Sequence, residues 1–216
     1  MEADKDMGTG FVVTGGYLNL LAGILLLTYW YAFALFLPYR ELSTTLSILV
    51  SNRNWLWINA LGVLGALAGL LGQAGILVIQ APNTSWYASI GFYIAVAGTT
   101  LLVGTMLWET VLWPILYRHD ESMLDFQGPI YSSRIFLGFF VVSGLIFGAG
   151  YILVGIGIVQ AGVLPRAAGI MLAIGAPTFG LGAMFGKYQV YVRSVGVTLM
   201  SVGLIWLALA MVSATI

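Results

Sequence analysis

Cysteine is absent from the 216-residue chain, and histidine occurs once, at His119. Without cysteine the chain can form no disulfide, thiolate metal site or iron–sulfur cluster, and it has no cysteine nucleophile. A single imidazole excludes a bis-histidine haem held by this chain alone, and a histidine-rich copper or di-iron site. We therefore expect no cofactor, no metal site and no catalytic residue in this chain.

Charged residues are also scarce, with 8 basic and 8 acidic side chains that together make up 7% of the chain, whereas hydrophobic residues make up 60%. A soluble domain carries roughly 25% charged residues. So few charges cannot cover a water-facing surface, which excludes a soluble enzyme, a nucleic-acid-binding protein and a disordered chain. The composition predicts an integral membrane protein, a single domain over residues 1–216.

Six apolar segments are long enough to cross a bilayer, which takes about 20 residues per helix. We predict an all-α bundle with spans at residues 11–37, 55–79, 86–117, 130–159, 164–186 and 188–216. In the link between the first two spans, Leu42, Leu46, Leu49 and Val50 recur at near-helical spacing. This spacing predicts a short helix lying in the membrane interface.

The basic residues predict the orientation, because short inner loops collect Lys and Arg. With the N-terminus outside, the inner side carries Arg40, Arg53, Arg118, Arg134, Lys187 and Arg193. Only Lys5 and Arg166 remain outside. The tryptophans lie mostly toward the ends of spans, as in an aromatic belt. We expect a multi-pass protein of the cell membrane with both termini outside.

Many of the 28 glycines lie within the predicted spans. Pairs four residues apart occur at Gly65 and Gly69, at Gly144 and Gly148, and at Gly182 and Gly186. Such patterns let helix backbones approach closely. We expect them to pack helices within the chain; the alternative is a seam between two copies.

Glu109 is the acidic residue placed inside a predicted span, nine residues before Arg118 and so ~13 Å from that loop boundary. An ionised carboxylate there costs at least ~2.5 kcal/mol without a partner. Arg134 and Arg193 are the expected partners. One interpretation is a structural ion pair; the other is a proton, cation or headgroup site.

Other polar residues also fall within the spans, and we expect them to form hydrogen bonds between helices. They are Asn19, Asn59, Gln73, Thr99 and Thr100. The alternative is that they converge with Glu109 and Tyr17 on a polar cavity. The acidic loop from His119 to Asp125 could bind a hard cation, but it lacks a ligand pattern and is expected to be solvated.

Residues 157–170, with the letters GIVQAGVLPRAAGI, resemble a segment of uncharacterised six-helix membrane proteins of bacteria. In those families a span ends in a small-residue link, followed by a Leu-Pro-Arg turn and the next span. The resemblance covers about the last third of the chain and implies a six-helix bundle. It implies no activity, because those families have none assigned.

The sequence favours a non-catalytic subunit or scaffold of a membrane assembly, with membrane lipids and other membrane proteins as partners and no nucleic acid. A small carrier or channel-like protein is the alternative, with a polar site around Glu109 and a hinge at Pro177, where Gly175 and Pro177 both weaken the helix. An intramembrane enzyme acting on lipid is a third hypothesis, and it would need more titratable groups near Glu109.

Overall fold

The computed structural model describes residues 2–38, 46–125, 128–130 and 132–214, with side chains from Gly8 onward. These residues form seven α-helices and no strand: α1 Glu2–Phe36, α2 Leu46–Val50, α3 Trp55–Gln80, α4 Trp86–His119, α5 Arg134–Ala161, α6 Arg166–Gly180 and α7 Gln189–Ser213. Short 3-10 segments lie at Ala81–Asn83, Glu121–Leu124 and Gly182–Tyr188. The prediction of an all-α chain is confirmed.

Five helical segments among the described residues are long and apolar enough to cross a membrane. They are Gly8–Phe36, Trp55–Asn83, Trp86–His119, Arg134–Ala161 and Gly182–Ser213. The predicted span at residues 164–186 does not form one continuous α-helix. Its helix, α6, ends at Gly180 after 15 residues and gives way to a 3-10 segment. Pro177 cannot donate to the helical ladder, and α6 ends within one turn after it.

The short helix predicted between the first two spans is present as α2, in which Leu46, Leu49 and Val50 are buried. It contacts α4 and the 3-10 segment Glu121–Leu124. Leu42, Arg40 and Glu41 lie outside the described residues. The buried side of α2 therefore faces protein at the end of the bundle where α4 ends.

The six long helices form a closed ring in chain order, because each packs on its sequence neighbours and α1 packs on α7. Neighbours run antiparallel. Along α5 and α6, for example, Gly155 meets Gly169 while Gly144 meets Gly180. The start of α1 meets the end of α7, since a methyl group at Gly16 would lie 2.9 Å from Cγ2 of Val212. The beginning of α1 and the end of α7 therefore lie at the same end of the bundle.

Glycines let the backbones of neighbouring helices touch. A methyl group at Gly15 on α1 would lie 2.6 Å from Cα of Gly75 on α3, and one at Gly150 on α5 would overlap the backbone of Ala95 on α4. Such contact distances maximise dispersion contacts between membrane helices.

The glycine pairs singled out in the sequence pack mainly inside the chain. Gly65 and Gly69 face α1, and Gly144 and Gly148 face α6. Gly182 packs on Arg193, but Gly186 has open space around it and a φ of 51°, a left-handed conformation that favours glycine. Gly186 therefore allows the turn before α7 and does not pack two helices together.

Candidate functional site at one end of the bundle

Glu109 lies level with the beginning of α3, because the indole nitrogen of Trp55 donates a hydrogen bond of 3.2 Å to the Glu109 backbone carbonyl. Trp55 is the first residue of α3. Beyond Glu109, α4 continues ten residues to His119, ~15 Å past the start of α3. Glu109 therefore lies near one end of the helical ring, and α4 continues past it for about the length that the sequence predicts.

Glu109 and Arg193 lie on helices that face each other, since α4 and α7 are three places apart around the ring. Both side chains are half-buried. Among the described residues, however, the carboxylate has no side-chain hydrogen bond and no ion pair within 4.0 Å. The two charges share one end of the bundle without contact.

Arg134, the other expected partner of Glu109, lies on the surface. It is the first residue of α5 and its side chain is exposed. Neither arginine forms an ion pair with Glu109 within 4.0 Å among the described residues.

Aromatic rings hold the Arg193 side chain. Its guanidinium carbon lies 4.5 Å from the centre of the Trp30 ring and 4.8 Å from that of Phe179. The Trp30 indole in turn donates a hydrogen bond of 2.8 Å to the hydroxyl of Ser194. The Nε atom of Arg193 is buried without a hydrogen-bond partner. Cation–π contacts therefore anchor this side chain and leave part of its donor capacity unused.

A continuous aromatic layer closes this end of the ring. Neighbouring ring centroids are 5.8 Å apart from Phe179 to Trp30 and from Trp30 to Phe33, 6.0 Å from Phe33 to Trp55, and 5.9 Å from Trp55 to Trp113. The three tryptophans are at most 3% exposed. Their positions near helix ends predict an interfacial belt; in the structure these three form an internal plug.

A second polar cluster lies deeper in the bundle, where Gln73 donates a hydrogen bond of 2.5 Å to the hydroxyl of Tyr151. Thr99 lies 3.5 Å from the Gln73 amide and donates to the backbone carbonyl of Ala95 at 2.7 Å. Gln73 and Thr99 link α3 to α4, as expected from the sequence. The part played by Tyr151 was not predicted, because a tyrosine within a span is also an ordinary packing residue.

The interior of the ring contains a small cavity next to this cluster, with room for about one water molecule. All six long helices contribute to its lining, which consists of Leu26, Ala66, Gly69, Thr99, Leu102, Phe147, Tyr151, Phe179, Met200 and Leu204. The lining is apolar except at Thr99 and Tyr151.

The asparagines do not converge on Glu109. Asn19 donates to the carbonyl of Gly72 on α3 at 2.9 Å, so it joins two helices as predicted. Asn59 donates to the carbonyl of Trp55 in its own helix at 2.8 Å, so the expected bond to another helix is not the one that forms. Tyr17 is exposed. The polar groups within the described bundle are thus spread over separate sites.

In the charged loop after α4, the carboxylate of Asp120 forms hydrogen bonds within the loop itself. Asp120 accepts hydrogen bonds from the backbone nitrogen of Ser122 at 3.0 Å and from its hydroxyl at 2.7 Å. The hydrogen bonds from the Ser122 side chain and backbone hold the pKa of Asp120 below its ordinary value. Nowhere in the described residues do three or more His, Cys, Asp or Glu side chains form a metal-binding group.

The chain matches no protein-family model, no curated protein and no solved structure. The resemblance of residues 157–170 to six-helix bacterial membrane proteins therefore stays a prediction.

Proposed function

We propose that the protein is a six-span, non-catalytic subunit or scaffold of a cell-membrane assembly, with both termini outside. The observation that carries this proposal is a closed ring of antiparallel helices with a filled interior. Its central cavity has room for about one water molecule. A secondary carrier builds its binding site near mid-membrane, commonly on broken helices. Here close glycine contacts between neighbouring helices fill the middle of the bundle except for that cavity, and the aromatic layer closes one end.

The sixth crossing is supported by the path of α6. Its early residue Gly169 meets Gly155 of α5, and its last residue, Gly180, meets Gly144. On its other side Gly175 meets Met200, and Gly182, just beyond the helix, meets Arg193 of α7. The helix is ~22 Å long, and the following 3-10 segment extends the path. The packing of α6 between α5 and α7, antiparallel to both, supports the proposed sixth crossing.

A carrier with a site around Glu109 is the alternative function. It is favoured by one observation, the half-buried carboxylate that has no side-chain partner within 4.0 Å among the described residues. Such a group could bind and release a proton or cation. The packed centre of the bundle weighs against it, because transport needs a path past the aromatic layer.

Labelling of single introduced cysteines distinguishes the scaffold from the carrier, since the chain has no cysteine of its own. Ala66→Cys places a thiol on the central cavity, and Ser122→Cys places one on an exposed loop as a labelling control. We expect a water-soluble maleimide to label position 122 in permeabilised vesicles and to leave position 66 unreacted. Labelling at position 66, together with Glu109-dependent solute flux in proteoliposomes, would establish the carrier instead.

The scaffold role itself is tested by purification in mild detergent from native membranes. We expect another membrane protein to co-purify at a fixed stoichiometry. A chain that purifies alone under conditions that preserve membrane complexes would contradict the proposal.

A further inference from the structure

The last residue of α3, Gln80, lies on a helix face that is turned into the bundle. It follows Gln73 by seven residues, about two helical turns or ~10.5 Å, so the two amides share one face of the helix. On that face Gln73 bonds Tyr151 of α5. Because α3 begins with Trp55 in the aromatic layer, Gln80 lies at the opposite end of the bundle. A second glutamine is therefore buried at the end that the aromatic layer does not close.

The Gln80 side chain lacks the protein partners that Gln73 has. It is 5% exposed, and it forms no hydrogen bond with another described residue. Its Oε1 lies beside α5, because a methyl group at Gly157 would be 4.0 Å from it. A buried amide without a hydrogen bond is costly, so buried polar groups are paired with protein or with ordered water. We therefore expect a partner for Gln80 in the space next to its amide.

A cavity between α3, α4 and α5 adjoins this amide. Gln80 lines it together with Thr84 just before α4, Ala88 and Phe92 of α4, and Val154 of α5. Ala88 and Val154 are each 7% exposed, so the cavity is set back from the surface of the bundle. It has room for about one or two water molecules, a space too small for a lipid headgroup. We call this space the Gln80 cavity.

Water suits the polar groups of the Gln80 cavity better than an apolar or a charged occupant does. An internal water needs at least two polar partners. The Gln80 amide offers N–H donors. The Thr84 hydroxyl donates its proton to the Gln80 backbone carbonyl at 2.7 Å and keeps its oxygen as an acceptor. An acyl chain would leave the amide without a partner, and none of the described residues that line the cavity carries a charge to hold an ion.

We propose that the Gln80 cavity binds an ordered water molecule. The water accepts a hydrogen bond from Nε2 of Gln80 and donates one to Oγ1 of Thr84. It thereby joins the end of α3 to the residues that lead into α4. At the other end of the same pair of helices, the Trp55 indole bonds the Glu109 carbonyl. Hydrogen bonds then hold α3 to α4 at both ends, directly at the aromatic layer and through water at the opposite end.

A crystal structure of the full chain, grown from a lipid mesophase and resolved well enough to show ordered water, tests the proposal. We expect a peak of density that lies ~2.5–3.2 Å from both Nε2 of Gln80 and Oγ1 of Thr84. A map in which both side chains are ordered and no such peak is present would overturn the proposal. Elongated density in the cavity, as from an acyl chain, would overturn it as well.

Substitutions at the two partners sharpen the test. Gln80→Leu removes the amide at similar size, and Thr84→Val removes the hydroxyl, so each variant should lose the peak. Thr100→Val is the matched control and should keep it, because the Thr100 hydroxyl also bonds the carbonyl four residues earlier, away from the cavity. A peak that persists in Gln80→Leu, or one that is lost in Thr100→Val, would overturn the proposal. Neither outcome bears on the scaffold role, which concerns protein partners.

Discussion

The hydrogen bond of 3.2 Å from the Trp55 indole to the Glu109 carbonyl joins the first turn of α3 to the C-terminal third of α4. Trp55 also stacks on Trp113 at 5.9 Å, one turn further along α4. This pair of contacts places the acidic residue beside the aromatic layer rather than in the centre of the bundle. Glu109 therefore lies near one end of the bundle, whereas the neutral cluster of Gln73, Thr99 and Tyr151 lies inside it.

Replacing Gly150 by alanine should destabilise the protein. The added methyl group would overlap the backbone nitrogen of Ala95, and a backbone atom cannot move aside cheaply. We expect a loss of about 1–3 kcal/mol in the free energy of unfolding, measured by denaturing-detergent titration. Gly138→Ala on the same helix meets nothing within 4 Å and should leave stability unchanged or slightly raised. Equal effects at the two positions would contradict the close packing of α4 on α5.

Replacing Tyr151 by phenylalanine should weaken the internal polar cluster. The Gln73 amide would lose its shorter hydrogen bond of 2.5 Å in a fully buried position. We expect a destabilisation of about 1 kcal/mol, seen as a lower midpoint in thermal unfolding. Tyr93→Phe is the matched control, because Tyr93 is 67% exposed. A Tyr151→Phe protein as stable as Tyr93→Phe would mean that the cluster contributes nothing.

Replacing Trp30 by phenylalanine should weaken the contacts that hold the Arg193 side chain and so destabilise the protein. The indole N–H that bonds Ser194 would be lost, and the cation–π contact would become weaker. The expected cost is about 1–2 kcal/mol in the free energy of unfolding. Trp57→Phe serves as the control, because the Trp57 indole bonds the Asn54 side chain at an exposed site. A loss of stability in Trp57→Phe as large as that in Trp30→Phe would contradict this prediction.

The Asp120 turn should respond to acid. Its folded pKa lies below the ordinary value of 3.8, so its contribution to stability is present above that value and is lost as pH falls through the folded pKa. Ser122→Ala removes the side-chain hydrogen bond and should raise the pKa of Asp120 toward 3.8, measured by carboxyl NMR titration. Ser51→Ala, in a different turn, should leave it unchanged. A pKa that does not move in Ser122→Ala would show that the hydroxyl plays no part.

The helices could be predicted from the sequence because their signal is local. Runs of about 20 apolar residues mark α1, α3, α4, α5 and α7, and the predicted starts at residues 55 and 86 coincide with those of α3 and α4. The break after Gly180 is harder to predict, because the residues that follow are as apolar as those of a helix. Pro177 signals a kink, but sequence alone does not say that the helix ends there.

The site could be predicted only in part, because it depends on which helix faces which. An acid within a span marks Glu109, but α4 could have placed it against any of several arginines. The facing of α4 and α7 follows from ring closure between α1 and α7, a contact far apart in sequence. The aromatic layer depends on it in part: Trp30, Trp55 and Trp113 come from helices that are neighbours in the chain, but the contact of Trp30 with Phe179 of α6 forms only when the ring closes.

Sidedness labelling tests the central claim most directly, that the chain crosses the membrane six times as a closed ring. Single cysteines would be introduced as Gly8→Cys near the start of α1, Ser213→Cys at the end of α7 and Ser122→Cys in the loop after α4. In sealed, right-side-out vesicles we predict that an impermeant maleimide labels positions 8 and 213, and labels position 122 only after permeabilisation. Labelling of positions 8 and 213 from opposite faces would contradict the account.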